Sequence, residues 1–306
     1  MHGRKSLLFS RICAARYLYL MLLPAIAYYA IFKYEPMAGL VLAFKKYYAN
    51  LGIFGSPWVG MSNFQRIFIT PDAVNAIVNT LQISLCRLVF EFPMAILLAL
   101  LLNEMRAPRL KRIYQTVYTF PHFLSWVVVG TMVTNIFASN GSINAVVSAL
   151  GGERVNFLSS RALFRPLLYL TANWKEMGWS AIIYMATIAG IDPTLYEAAT
   201  VDGANRFQQM LHVTLPGLQQ TIVVLFILAV GKMMNAGFDQ IFNLQNSAVK
   251  SVSEIIDTYI YTITFQSMPN YGFSTAVGMF KAVINFALLL TCNQVAKKVS
   301  GKGLFT

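Results

Sequence analysis

Six long apolar stretches are separated by shorter polar ones along this chain. They run over residues 17–37, 74–102, 114–137, 166–190, 218–238 and 272–294. A helix needs about 20 mostly apolar residues to cross a bilayer. The pattern therefore predicts an all-α integral membrane protein with six transmembrane helices. The first stretch follows Arg11 and Arg16, as the apolar part of a signal peptide would. No small-residue cleavage site comes after it, and the apolar character continues past Phe32, so it reads as a retained helix. The second stretch is long and contains Arg87, Glu91 and Pro93, which predicts a kink or a lean against neighbouring helices.

The connecting segments differ in kind. Residues 38–73 are aromatic and mixed in polarity, with a turn-rich Gly52-Ile53-Phe54-Gly55-Ser56-Pro57-Trp58 stretch. Residues 138–163 carry Asn-Gly and Gly-Gly turn signals. Residues 239–270 are polar and long enough to fold over a membrane mouth.

Composition strengthens the membrane reading. Of 306 residues, 57% are hydrophobic and 12% charged, where soluble domains average about 25% charged. A soluble globule could not hide so much apolar surface behind so few charges. The net charge of +12 would suggest nucleic acid in a soluble protein. Here the basic residues lie mostly between apolar blocks and act as topology signals. Arg4, Lys5, Arg11, Arg16, Arg106, Arg109, Lys111, Arg112, Arg206, Lys297, Lys298 and Lys302 fall on one side. The other side's longer loops hold Lys45, Lys46, Arg66, Arg154, Arg161, Arg165 and Lys250. Both termini are therefore expected in the cytoplasm, with no nucleic-acid partner.

Cys13, Cys86 and Cys292 are too far apart in sequence to suggest a disulfide or metal framework. His2, His122 and His212 show no ligand spacing, and His122 and His212 read as structural. No nucleophile elbow is present, and no cluster of catalytic residues points to an enzyme.

The segment 192–216 is the most informative. Asp192 can cap a helix whose first residue is Pro193, and Gly203 can end it. A second amphipathic stretch, Phe207 to Leu215, is expected to stop at Pro216. The product would be two short helices at a turn on the cytoplasmic face. Small residues Ala198, Ala199, Gly203 and Ala204 keep the surface thin beside an exposed acid, Glu197, which suits docking into a groove of another protein.

The order Glu197-Ala198-Ala199, Asp202-Gly203-Ala204, then Val213 and Leu215-Pro216 resembles the EAA loop of binding-protein-dependent ABC importer permeases. That family usually has Ile where Val213 stands. The motif also sits between the fourth and fifth predicted spans, where the family has it. Phe44-Lys45-Lys46-Tyr47 and Ser56-Pro57-Trp58-Val59-Gly60 look like the carbohydrate-uptake branch, in particular the lipoprotein-associated polysaccharide permeases. The resemblance implies a type I importer permease with a first helix that wraps a partner and a five-helix core. The division would be 1–73, 74–294 with the coupling loop at about 192–216, and a cytoplasmic tail at 295–306. It implies a second permease subunit of different sequence, two ATPase subunits and an extracytoplasmic solute-binding protein. The chain has no Gly-x-x-x-x-Gly-Lys-Ser/Thr, so ATP and Mg would be bound by the ATPase partners and no cofactor by this chain. Glu197, Ala198, Ala199, Asp202, Gly203, Val213, Leu215 and Pro216 would carry the coupling.

Ionisable residues inside spans are costly and mark function by default. Arg87 and Glu91 lie four apart and read as a structural pair. Trp174, Lys175, Glu176 and Trp179 on the fourth span, with Lys232 and Asn235 sharing a face of the fifth, are candidates for the substrate path. Related sugar permeases place contacts on the helices that flank the coupling loop. Aromatic rings stack on sugars while amides and charges bond hydroxyls. Contact with the partner permease is the competing reading of the same residues. Lys175, Lys232 and Lys281 together suggest a cationic cavity suited to an acidic oligosaccharide. Among other classes, an ion-coupled secondary transporter would need intramembrane charges too. It predicts inverted repeats, which the chain lacks, and has no use for the 192–216 pattern.

Overall fold

The computed structural model describes residues 14–266 and 268–300. His2, Arg4, Lys5, Arg11, Cys13 and Lys302, used above, lie outside the described residues. Every named element is helical, and among the described residues the only strand-like pairing is one bridge, Lys45 with Trp58. The chain forms two compact units, one of residues up to 66 with 270–279, the other of 67–269 with the helix from 280 onward.

In the first unit, α1 (Arg16–Tyr29) runs on through a π-helical turn, Ala30–Tyr34, and a 3-10 stretch, Glu35–Phe44. This helical run is long and apolar enough to span a membrane, and from Arg16 to Tyr34 it buries no residue within the chain. Its apolar surface is therefore left for lipid or another subunit. Beyond it, Phe44 stacks on Trp58 at 5.5 Å. Lys45 Nζ donates to the carbonyls of Ile53 and Phe54, closing the short helix α2 (Gly52–Gly55). Asn63, on α3 (Ser62–Ile69), donates to the carbonyls of Ala43 and Lys45. The turn-rich aromatic stretch is thus a folded motif.

The second unit is built on α4 (Pro71–Asn103), 33 residues long. Pro71 starts it and Asp72 complements its positive end. At 1.5 Å per residue it is roughly 50 Å long, well over the hydrocarbon thickness. Next come α5 (Pro108–Thr119), a 3-10 turn (Phe120–Phe123), α6 (Trp126–Phe137) and α7 (Ser142–Ala149). The third predicted span, 114–137, is not one helix. The chain bends by 101° between Phe123 and Trp126. Pro121 sits in the turn, Leu124 is extended, and Ser125 restarts the helix by accepting the Val128 N–H at 3.3 Å.

Helix α8 (Arg161–Ala189) runs alongside α4 in the same direction, as Arg165 bonds Asn79 near one end and Tyr184 meets the ring of Phe92 further along. It is long enough to span, but its middle is too polar to pass as an apolar span. By length and composition four helices qualify, or five with the bent pair counted as one. The six-span count therefore rests on α8 as well. After α9 (Pro193–Val201) and α10 (Arg206–Gln209), a π turn at Met210–Thr214 leads directly into α11 (Leu215–Gly231). The amphipathic stretch does not stop at Pro216, as expected from sequence. The wide turn takes up the missing Pro216 N–H and the helix continues. It also ends at Gly231, short of the expected 238.

The segment 239–270 is folded into the unit rather than draped over it. Helices α12 (Phe238–Leu244), α13 (Lys250–Ser253) and α14 (Ile256–Tyr261) bury Ile241, Leu244, Val249, Ile255 and Ile256. Asn79 on α4 donates to the carbonyls of Ser251 and Glu254, and Thr80 accepts the Ile256 N–H. The last helix, α15 (Tyr271–Ser300), carries Lys281, which pairs with Asp257 at 2.6 Å. Two apolar cores result. Ile83, Val129, Phe164 and Leu168 join Ile241 and Ile255 in one, and Ala95, Leu98, Ala99, Tyr184 and Leu218 form the other.

Candidate functional site: an exposed helical hairpin and a membrane-level cavity

The hairpin begins as the sequence indicates. The Asp192 carboxylate accepts the Thr194 N–H at 3.0 Å, and Pro193 opens α9. That bond holds the carboxyl of the exposed Asp192 below its usual range. At the far end Gly203 takes φ +81°, which strains any residue with a Cβ. Gly203 N–H bonds Thr200 O and Ala204 N–H bonds Ala199 O, the paired bonds of a Schellman stop. Asn205 and Gln208 then form a capping box that starts α10. Gln209 donates to Thr200 Oγ1 and Ala204 O, and Tyr196 OH meets Thr214 Oγ1 at 2.9 Å. These bonds clamp the two arms.

So rigid a hairpin buries little. Helix α9 has no buried residue among the described residues. Glu197, Ala198, Asp202, Gly203 and Pro216 are exposed, while Ala199, Val213 and Leu215 are half-buried. Leu195, Val201, Phe207 and Leu211 stand out as exposed apolar side chains around them.

The second feature is a cavity of about 470 Å³ walled by α4, α8, α11 and the turn after α11. Of the six residues proposed for the substrate path, Glu176, Trp179, Lys232 and Asn235 line it. Trp174 and Lys175 do not. Lys175 is buried and donates to the His122 carbonyl at 2.8 Å and to Glu176 Oε1 at 3.1 Å, with its ammonium 5.4 Å from the Trp126 ring centre. It holds the break between α5 and α6. Glu176 Oε2 lies 2.7 Å from His122 Nδ1, and the His122 ring stacks flat on Trp179 at 4.4 Å. Gly178 brings the two backbones together, since a Cβ there would fall 2.0 Å from Tyr118 O.

Lys232 and Asn235 do not share a helix face. They lie in the turn past Gly231 and reach the cavity from there. The three-lysine cationic cavity is corrected too. Lys175 is consumed by the break and Lys281 by Asp257, which leaves Lys232. Sequence reasoning missed Ser84, Phe92, Ser180 and Tyr184 in the wall, and Arg87 and Glu91 line it rather than standing behind it. The available signal was the spacing of 84, 87 and 91, which puts them on one face of α4.

Residues 91–301 match the family of binding-protein-dependent transport system inner membrane components. The polygalacturonan/rhamnogalacturonan transport system permease protein YteP of Bacillus subtilis (strain 168) is 44% identical over 99% of this chain and 94% of its own. Protein LplB of the same organism is 43% identical over 95% and 91%. Among solved structures, a chain of a bacterial ABC transporter involved in import of the acidic polysaccharide alginate superposes with a TM-score of 0.89. It is 37% identical, covering 96% of this chain and 99% of that one. A second structure of the alginate transporter, in complex with a periplasmic protein bound to alginate pentasaccharide, superposes equally well. The protein is therefore a sugar ABC transporter permease, a multi-pass membrane component of the binding-protein-dependent transport family.

Proposed function

We propose that this chain is one permease subunit of an ATP-driven importer for an oligosaccharide, most specifically one bearing sugar acids, delivered by an external solute-binding protein. The reading is carried by α9, a nine-residue helix capped at both ends that buries nothing in its own chain. A structural hairpin would spend its apolar side chains inside the fold. This one presents Leu195, Val201 and Phe207 around Glu197, a rigid knob for a partner's groove. Two ATPase subunits, one per permease, are the partners that such a knob would serve. Their closure on ATP would move the hairpin and, through the π turn into α11, the cavity wall as a rigid body.

The sugar reading draws on the relatives named above and on the wall of the cavity, where Trp179 and Phe92 offer faces for stacking and Ser180, Asn235 and Lys232 offer polar contacts. The partner permease, a different chain, would close the open side of that cavity. In this arrangement both termini and the 192–216 hairpin are cytoplasmic, and ATP and Mg are handled by the ATPase subunits alone. Residues 1–73 would form the wrapping helix and outer motif, and 74–294 the core.

Proteoliposomes holding the full complex with ATP inside and the binding protein outside provide the test. Uptake of labelled trigalacturonate that needs ATP and the binding protein supports the reading. Uptake driven by a proton or sodium gradient without ATP would overturn it in favour of ion coupling.

A further inference from the structure

The helix α4 carries a polar stripe that the function above has not used. Ser84, Arg87 and Glu91 lie on one face and all line the cavity. As a purely structural pair, Arg87 and Glu91 are poorly made. Their Nε–Oε1 separation is 3.7 Å, too long for a hydrogen bond. Arg87 Nε, Glu91 Oε1 and Ser84 Oγ each lack a hydrogen-bond partner among the described residues. Buried polar groups are nearly always satisfied, so this stripe is not completed by its own fold. The three atoms are themselves sealed, and it is the remaining exposed part of each side chain, 14% for Arg87 and 27% for Glu91, that a ligand in the cavity would meet. Arg87 is held from behind. Its Nη2 donates to Gln240, and Gln240 is itself fixed by donating to Leu168 O and Thr171 Oγ1.

The charges around the cavity then decide the kind of ligand. Four charged side chains line it, namely Arg87, Glu91, Glu176 and Lys232. Glu176 has one oxygen on Lys175 and the other on His122, so it is answered from within the fold. Glu91 lies beside Arg87. Lys232 makes no ion pair or side-chain hydrogen bond among the described residues and is exposed. The cavity therefore carries one unanswered positive charge, Lys232, and a guanidinium, Arg87, whose carboxylate partner stands 3.7 Å away.

We propose that Arg87 and Lys232 form a carboxylate-binding subsite for a uronate residue of the transported oligosaccharide, with Ser84 and Glu91 taking its hydroxyls. The inference rests on the sugar-importer reading above and goes further by assigning the acid group to two residues on α4 and in the turn after α11. Glu91 has a second effect. Its negative charge beside Arg87 opposes a bound carboxylate, so the site as built binds the acid reversibly, as a transporter must.

The test uses the full importer complex in nanodiscs without its binding protein, so that only the membrane subunits select. Calorimetry compares trigalacturonate with its methyl triester, which keeps the sugar and removes the charge. Wild type is expected to bind the acid about tenfold more tightly than the ester, the usual gain of a charge-assisted pair. Lys232→Gln should remove most of that ratio and Glu91→Gln should enlarge it, each read as the acid-to-ester ratio so that any lost hydroxyl contact, common to both probes, cancels. The opposite signs separate a charge effect from damage to the fold, which would weaken both probes together. A ratio unmoved by either variant, a parallel loss of both probes, or no wild-type preference overturns the subsite. ATP-driven uptake of trigalacturonate by the wild-type complex in proteoliposomes with its binding protein, as above, checks the parent reading independently. Uptake with an unmoved ratio sinks the subsite alone, and no uptake sinks the parent.

Discussion

Lys175 Nζ donates a 2.8 Å hydrogen bond to the carbonyl oxygen of His122, tying the centre of α8 to the 3-10 turn that ends α5. An intramembrane lysine next to a glutamate looks like a transport residue. In this fold it satisfies a backbone group freed by the break at Pro121. Lys175→Met should therefore leave the His122 carbonyl unsatisfied and cost about 1–3 kcal/mol of stability. The melting temperature of the purified complex should fall. The apparent KM for an uncharged sugar ester, measured on the surviving folded fraction, should stay unchanged, because Lys175 does not itself line the cavity.

Gly178 meets the same turn through space. Its missing side chain lets Tyr118 O come to where a Cβ would be, 2.0 Å away. The obstacle is backbone and cannot swing aside. Gly178→Ala should cost roughly 1–3 kcal/mol or more by overpacking. Folded yield in detergent should drop sharply, whereas Gly39→Ala, which has nothing within 4 Å, should leave yield unaffected.

The cap of α9 has a pH signature. Asp192 has its pKa lowered from the ordinary 3.8, chiefly by the Thr194 N–H bond. A folded-state pKa below the unfolded one gives stability that is present above the unfolded value and lost as pH falls through the folded one. Hydrogen exchange in the first turn of α9 should stay slow from neutral pH down to about 4 and quicken below it. Asp192→Asn, which caps without ionising, should remove that acid dependence. Quickening at the same pH in the Asn variant would contradict the assignment.

Gly203 is a separate test of the far end of the hairpin. An added Cβ meets nothing within 4 Å, so space is no obstacle and only the φ of +81° is. Gly203→Ala should then cost about 1–2 kcal/mol of local stability. Exchange of the last turn of α9 should quicken while the global melting temperature moves little.

Much of this was legible in the sequence because it was local. Asp192-Pro193 and Gly203 state the start and stop of α9 in residue types that leave few alternatives. The apolar blocks gave five of the six expected helices nearly in place. The rest depended on contacts between distant segments. The 101° bend after Phe123 needs Lys175 and Gly178, more than fifty residues away, to hold it. The early end of α11 at Gly231 is fixed in part by Asn285, which accepts the Met234 N–H. Trp174 and Trp179 read alike in sequence, yet only the helical phase of α8 against α4 decides that Trp179 faces the cavity. The buried segment after residue 238 misled because its average polarity hides five apolar anchors.

If the exposed hairpin transmits ATPase action to this chain, altering its tip should uncouple the complex without unfolding it. The direct measurement is ATPase activity and subunit composition of the complex purified in mild detergent, for wild type and for Glu197→Arg combined with Gly203→Ala. ATPase subunits should co-purify with the wild type, and binding-protein-stimulated hydrolysis should be lost in the variant. The variant's permease subunits should still pair and melt as the wild type does. Normal stimulated hydrolysis in the variant, or a wild-type permease that holds no ATPase, would contradict it.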